Sequence, residues 1–343
     1  MDPAPVDSAV EPANSFIPLI DFSPFLNPPT PTAKQVTAHA LLTGFRTAGF
    51  IYLRNAGISP QTISRVFDLS ASFFRRPQDQ KDALAWYSPE ANRGYTAQGR
   101  EKVTELTERG EVEKLREEVP DLKESLEIGR DDEVEYPNCW PDRFDDEGKV
   151  FRRVMNEFFE ECKGLHGQIM RAVALGMGLE EEWFDGYTDG GDNTLRLLHY
   201  PEVERRVFQE RKGQVRAGAH TDYGSITLLF QDDRGGLQVQ SPDGTFVDAT
   251  PILDTIVINA GDLLARWSND LVKSTKHRVV EPPLKPGEEV GKKYPARYSV
   301  AYFCNPNFNK WIDAIPGTFE EEGKKYPGVN SGEYLVQRLA ATY

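Results

Sequence analysis

The sequence predicts an α+β protein, a β core dressed by an N-terminal helical layer and one long supporting helix. Helix-type periodicity dominates up to about Leu175. After Gly190 the chain breaks into short β-rich runs separated by turn signals, as in an antiparallel sandwich or barrel. No self-similarity recurs at a period of roughly 20–50 residues, which excludes a solenoid or propeller.

Taken in order, residues 1–15 are polar and Pro-rich and read as a flexible tail. Residues 16–190 read as a helical and strand region that packs on the core, and residues 191–343 as the core itself. Ile17–Asp21 predicts a short edge strand, where Pro18 is tolerated. Thr32 with Gln35 predicts a capping box opening a helix. Val36, Ala40, Leu41 and Phe45 share one face of that helix and Gly49 ends it. Phe50–Leu53 predicts a strand. Ser59-Pro60 is an N-cap followed by a first-turn proline, starting a helix that runs to about Phe74 and stops before Pro77. The charged stretches 100–118 and 142–149 read as solvated surface. From about Val150 to Leu175, apolar residues at three- and four-residue steps predict a long amphipathic helix, with Cys162 as a buried, inert thiol. The expected strands are Thr194–Tyr200, Ser225–Phe230, Gly236–Gln240, Phe246–Ala249, Thr255–Ala260, His277–Glu281 and Arg297–Phe303. A helix near Glu333–Ala340 closes the chain.

The composition excludes several classes. A net charge of −14 over 343 residues disfavours nucleic-acid binding, where phosphate neutralisation dominates affinity. No apolar run reaches the ~18 residues of a membrane span. The three cysteines form no C-x-x-C pair, which predicts a reducing compartment. With no signal-like segment read at the start, the expected location is the cytoplasm. Gly235-Gly236 and Gly261-Asp262 lack any phosphate-binding pattern, and there is no G-x-S-x-G nucleophile elbow.

Among five histidines, two stand in suggestive contexts. His220-Thr221-Asp222 places an imidazole and a carboxylate two residues apart, on one face if the segment is a strand. His277 opens a later β run that a neighbouring strand can bring to the same point. Two imidazoles and one carboxylate leave open positions on a metal, the arrangement of non-haem Fe(II) oxygenases. A hydrolytic zinc ion with a bound water could use the same set. Arg297-Tyr298-Ser299 tips the balance. Its guanidinium and hydroxyl share a strand face and can anchor the far carboxylate of a metal-chelating 2-oxo acid.

These three motifs resemble the iron- and 2-oxoglutarate-binding motifs of the isopenicillin N synthase-like dioxygenase superfamily. Ile17–Phe22, Gly49–Leu53 and Leu198-His199-Tyr200-Pro201 resemble its flanking segments, so the likeness runs from about residue 16 to the end. The resemblance implies a double-stranded β-helix (jelly roll) with Fe(II), 2-oxoglutarate as co-substrate and O2. It makes His220, Asp222 and His277 the metal ligands, and Arg297, Ser299 and Tyr200 the 2-oxoglutarate contacts. The family often has Asn where this chain has Leu198, so one co-substrate contact is absent or replaced. Glu90–Tyr95, Asp192–Tyr200, Ala260–Trp267 and Ala301–Pro306 are similar to the thymine-hydroxylating fungal branch. That implies hydroxylation of a C–H bond of a small planar heteroaromatic, in the first place the methyl group of thymine, with release of succinate and CO2. Relatives in tropolone-type secondary metabolism and nicotinate breakdown share parts of the same phrases.

A planar ring calls for aromatic walls, and Tyr223 and Phe303 are the candidates. Phe303 falls on the strand face of Ser299. Arg196, in step with Tyr200, is expected to point inward toward a substrate carbonyl. Asn193 and Asn305 are further polar candidates, and Arg93 and Tyr95 sit in the layer that could lid the site. His199 should face away from Tyr200 and be structural. His39 and His166 carry no role. The partner is a small molecule, with neither nucleic acid nor membrane. The rival readings are an oxidase of this fold that ignores 2-oxoglutarate, the zinc hydrolase, and a non-catalytic small-molecule receptor.

Overall fold

A computed structural model describes residues 16–101, 120–210, 213–283, 291–319 and 323–342. Its strands are β1 (Leu19–Asp21), β2 (Phe50–Arg54), β3 (Gly94–Thr96), β4 (Glu124–Ile128), β5 (Thr194–Tyr200), β6 (Val203–Glu204), β7 (Ala217–His220) and β8 (Ile226–Gln231). They continue with β9 (Leu237–Gln240), β10 (Phe246–Asp248), β11 (Thr255–Ala260), β12 (His277–Val279), β13 (Lys293–Tyr294), β14 (Arg297–Cys304), β15 (Trp311–Ile312) and β16 (Val329–Asn330). An eight-stranded sheet runs β1-β2-β11-β8-β14-β5-β4-β3 and faces a four-stranded sheet β10-β9-β12-β7. This is the expected jelly roll. The N-terminal region does more than pack on it, because β1 to β4 are strands of the large sheet itself.

The large sheet is buried on both faces, and strict alternation sorts its side chains. Leu195 and Leu197 of β5, Leu228 and Phe230 of β8, and Val300 and Tyr302 of β14 face the helices. Arg196, Leu198 and Tyr200, Thr227 and Leu229, and Arg297, Ser299, Ala301 and Phe303 face the interior between the sheets. The long helix Asp146–Gly176 lies across the outer face, with Phe158 edge-on to Phe230 at 5.1 Å and Phe159 edge-on to Tyr302 at 5.0 Å. It begins before Val150 because Asp145 caps it, accepting from Gly148 N at 2.7 Å. Part of the charged stretch 142–149 is therefore its first turn. Cys162 is buried on its apolar face, as expected.

The helix expected from Thr32 is Pro31–Thr47, and its cap is Thr30, which accepts from Ala33 N at 3.2 Å. Pro31 then takes the first helical position, where its missing N–H costs nothing. The buried face is Ala38, Leu41, Leu42 and Phe45, while Val36 and Ala40 are exposed. Gly49 does end this helix, at φ +70°, and a Cβ there would lie 2.5 Å from Lys273 O. Ser59 caps Pro60–Phe74 as expected. β3 and β4 are not among the strands the sequence predicts, and β7 enters there only as the strand assumed to carry His220. β4 reads Glu-Ser-Leu-Glu-Ile, a poor strand by composition, because its polar side chains meet buried partners on both faces of the sheet. Residues 1–15 and 102–119, where a tail and most of a solvated stretch are expected, lie outside the described residues. Among the described residues no helix is long and apolar enough to cross a membrane.

His166 points from the long helix into the core, with Nε2 3.2 Å from Ser225 Oγ and Nδ1 buried without a hydrogen bond. Burial lowers its pKa to about 3. The folded protein therefore keeps this ring neutral, while the unfolded chain takes up a proton near the ordinary value of about 6.5. Stability from this group is complete above about pH 6.5 and falls by about 1.4 kcal/mol per pH unit as pH drops toward 3. Urea unfolding of wild type and His166→Gln at pH 7, 6 and 5 should show a shallower loss in the variant, by up to one proton. Parallel pH slopes would contradict the neutral buried imidazole.

Candidate active site

β12 pairs antiparallel with β7 so that His277 stands directly across from His220. Their rings are 4.2 Å apart, and each Nε2 approaches Asp222 Oδ1, at 3.9 Å from His220 and 3.8 Å from His277. One ligand atom from each residue falls within 4.8 Å of the others, so the trio could hold a metal ion. β7 ends at His220, so Asp222 is not on the strand as expected but in the turn that follows. That turn is held by Asp262 N donating to Asp222 O at 2.8 Å, and by Gly224, where a Cβ would lie 2.3 Å from Cys304 O.

The donor set fits a divalent cation. His220 Nδ1 lies 2.8 Å from Gly218 O and His277 Nδ1 lies 3.3 Å from Thr275 O. Those contacts place the proton on Nδ1 and leave each Nε2 lone pair for a metal. Asp222 Oδ2 accepts from Thr227 Oγ1 at 2.6 Å and Asn259 Nδ2 at 2.7 Å, which turns Oδ1 toward the imidazoles. Burial, with help from His277, pulls the His220 pKa down to about 3, keeping the ring neutral. Burial opposes ionisation of Asp222, but His277, His220 and its two hydrogen-bond donors outweigh it and its pKa is lowered.

Two cavities meet at this point. The inner one lies between the sheets and runs from His220, Asp222 and His277 to Arg297 and Ser299. Arg297 is fully buried; it donates to Gly235 O at 2.9 Å and Ser299 Oγ at 3.2 Å, and its guanidinium lies 5.0 Å from the centre of the Tyr200 ring. The outer cavity is lined by Asn92, Arg93, Tyr223, Phe303, Asn305 and the C-terminal helix Ser331–Thr342, among others. His220, Asp222, Arg196 and Phe303 line both.

Arg196 does point inward, over the Phe303 ring at 5.3 Å, and it is ion-paired to Glu127 at 2.8 Å and Glu101 at 3.1 Å. Lys123 completes the cluster by pairing with Glu101. Burial alone would raise the Glu101 pKa, but Arg196 and Lys123 bring it down to about 2. Glu127 has lost that contest, and burial leaves its pKa raised. Tyr223 is held from two sides, with its hydroxyl 2.7 Å from Thr342 Oγ1 and the Arg338 guanidinium 4.3 Å from its ring centre. Arg338 also donates at 2.9 Å to Asp262, which accepts at 3.1 Å from Thr221 between two of the candidate ligands.

Asn193 is a correction. It lines neither cavity, because Nδ2 donates to Tyr302 OH at 3.0 Å and Oδ1 accepts from Asn305 N at 2.8 Å, so it braces two strand ends. Asn305 lines the outer cavity while donating to Asp192 O at 2.8 Å. Tyr95 is in β3, bonded to Glu124, and lines neither cavity. His199 faces outward, stacked on Tyr298 at 4.6 Å and bonded to Glu124 at 2.7 Å. The sequence patterns give no sign of Glu101, Lys123 or Glu127, since they sit beside or within charged text that reads as surface. Glu101 is only 4% exposed.

Residues 17–143 match the non-haem dioxygenase in morphine synthesis N-terminal family, and residues 191–306 match the 2OG-Fe(II) oxygenase superfamily. The 2-oxoglutarate-Fe(II) type oxidoreductase ppzD of Metarhizium rileyi is 36% identical over 94% of this chain and 90% of its own. The proline hydroxylase buaE of Petromyces alliaceus is 34% identical over 94% and 98%. The crystal structure of full-length Neurospora crassa thymine 7-hydroxylase in complex with α-KG and thymine superposes with a TM-score of 0.87 at 60% identity, covering 95% of this chain and 97% of that one. The chain belongs to the 2OG-Fe(II) oxygenase superfamily and is a dioxygenase that depends on Fe(II), 2-oxoglutarate and O2.

Proposed function

We propose that this enzyme hydroxylates a small planar heteroaromatic, with the methyl group of thymine as its target. In this reading His220, Asp222 and His277 hold the iron. Arg297, Ser299 and Tyr200 hold the far carboxylate of 2-oxoglutarate in the inner cavity. The outer cavity takes the ring, between Tyr223 and Phe303, with Arg196 donating to a ring carbonyl and Asn305 at the rim. The observation that carries the reading is the meeting of the two cavities at His220 and Asp222, with Arg196 and Phe303 on the shared boundary. The 60% identity to a relative solved with thymine and α-KG supports the choice of substrate.

The bound iron supplies the oxidising chemistry, in which O2 puts one oxygen atom into succinate and the other into the substrate C–H bond as CO2 leaves. The chain's own residues bind and orient. Arg297 meets the far carboxylate with a charge-assisted hydrogen bond in a site without bulk water. Asn259 and Thr227 hold Asp222 in one rotamer. Arg196 presents its fork with two carboxylates behind it, so its direction is set before substrate arrives. The C-terminal helix covers the outer cavity with Leu335 and Leu339 and fixes Tyr223 through Thr342.

A second reading has a specific basis. The curated fungal relatives include a proline hydroxylase at 34% identity, and the helix wall of the outer cavity is apolar. An alicyclic secondary metabolite would use that wall and leave Arg196 idle.

The deciding measurement is succinate release by Fe(II)-loaded enzyme with 2-oxoglutarate, with and without thymine. Thymine should stimulate succinate release strongly and give a hydroxylated product, and Asp222→Ala should abolish both. Slow succinate release indifferent to thymine would reject the substrate and keep the enzyme class. Arg196→Lys keeps the charge but removes the fork. It should raise KM for thymine about tenfold or more. An unchanged thymine KM would take Arg196 out of the substrate site.

A further inference from the structure

The inner cavity contains a cation that the 2-oxoglutarate contacts above do not use. Lys123 immediately precedes β4, on the sheet face shared by Ser125 and Glu127. It is 5% exposed and lines the inner cavity, not the outer one. An ammonium has three donors, and among the described residues Lys123 hydrogen-bonds only to Glu101. Glu101 lines the outer cavity, so the Lys123–Glu101 pair crosses the boundary between the two. His220 and Asp222 mark that boundary, whereas Arg297 and Ser299 line only the inner cavity. Lys123 starts in the row of the sheet that holds Tyr200, and its ion pair with Glu101 draws the head group from there toward the boundary that His220 and Asp222 mark. On the same wall, Leu198 offers no hydrogen-bond donor. Burial disfavours the charge on Lys123, but Glu101 more than offsets this and holds the group protonated.

We propose that Lys123 donates to the metal-end carboxylate of 2-oxoglutarate, supplying the contact that Leu198 cannot make. Glu101 is its positioning residue and, because it also pairs with Arg196, mechanically links the co-substrate cavity to the substrate cavity. This rests on the placement of 2-oxoglutarate in the inner cavity. Two 2-oxo acids separate the two ends of that cavity. 2-Oxoglutarate has both carboxylates, and 2-oxobutyrate keeps only the one beside the keto group.

The test is anaerobic titration of Fe(II)-loaded protein with each acid, read by the visible charge-transfer absorbance of the chelate and by calorimetry. Lys123→Met should raise Kd for both acids about 10–100-fold. Lys123→Arg should recover part of the loss. Arg297→Met should raise Kd for 2-oxoglutarate alone. Since Lys123→Met strands the Glu101 carboxylate, the double variant Lys123→Met/Glu101→Gln removes both charges together. It should show the same loss with wild-type Mn(II) affinity and an unperturbed near-ultraviolet circular dichroism spectrum. An unchanged Kd in Lys123→Met, a loss confined to 2-oxoglutarate, or a loss of Mn(II) binding in the double variant would each overturn the assignment. If the wild type bound neither acid, the placement of 2-oxoglutarate would fall, and the role of Lys123 with it. If the wild type binds both acids and Lys123→Met makes no difference, only the Lys123 assignment fails.

Discussion

His277 lies opposite His220 because β12 joins β7 in the small sheet. That pairing brings together residues from distant parts of the chain, and the large sheet must then sit close enough to close the space above them. The interior between the sheets is consequently mixed, with the polar groups of the cavities set among apolar residues of both sheets. Polar groups buried there are costly unless paired. Asn259 and Thr227 on Asp222, Ser299 on Arg297, and Glu101 and Glu127 on Arg196 supply such partners.

The same constraint explains the long helix. The interior face shares its area between the cavities and a smaller apolar cluster that includes Tyr52, Leu198, Val239, Val257 and Val279. The outer face adds the larger apolar cluster, in which Leu197, Phe230, Val300 and Tyr302 join Phe158, Phe159 and Ile169 of the helix. Strand alternation thus divides labour within single strands. In β14, Arg297, Ser299 and Phe303 serve the cavities, while Val300 and Tyr302 hold the fold. In β5, Arg196 and Tyr200 face inward and His199 faces outward to Glu124 and Tyr298.

The C-terminal helix and the turn that carries Asp222 form one unit. Asp262 accepts from Thr221 and from Arg338, and Arg338 lies over Tyr223. A side chain on the last helix thereby reaches the turn that carries Asp222. The inner cavity has a comparable arrangement in Glu101, which joins Lys123 to Arg196.

Much of this was legible in the residues. His-x-Asp, His and Arg-x-Ser in that order specify a chemistry, and alternation makes the shared face of Arg297 and Ser299 predictable from spacing alone, whereas Asp222 lies past the end of β7 in a turn. Ser59, Gly49 and the repeat from Phe151 to Val173 likewise specify local structure, since caps and helical faces depend on neighbours in sequence. What the chain alone could not decide was which charged side chains are buried. Glu101, Lys123, Glu124 and Glu127 look like solvent-exposed text, and Asn193 like a ligand-binding amide. Their roles depend on partners distant in sequence, such as Arg196 for Glu101, His199 for Glu124 and Tyr302 for Asn193. A charge becomes tolerable in the interior only once its counter-charge has arrived there, and only the tertiary structure brings the two together.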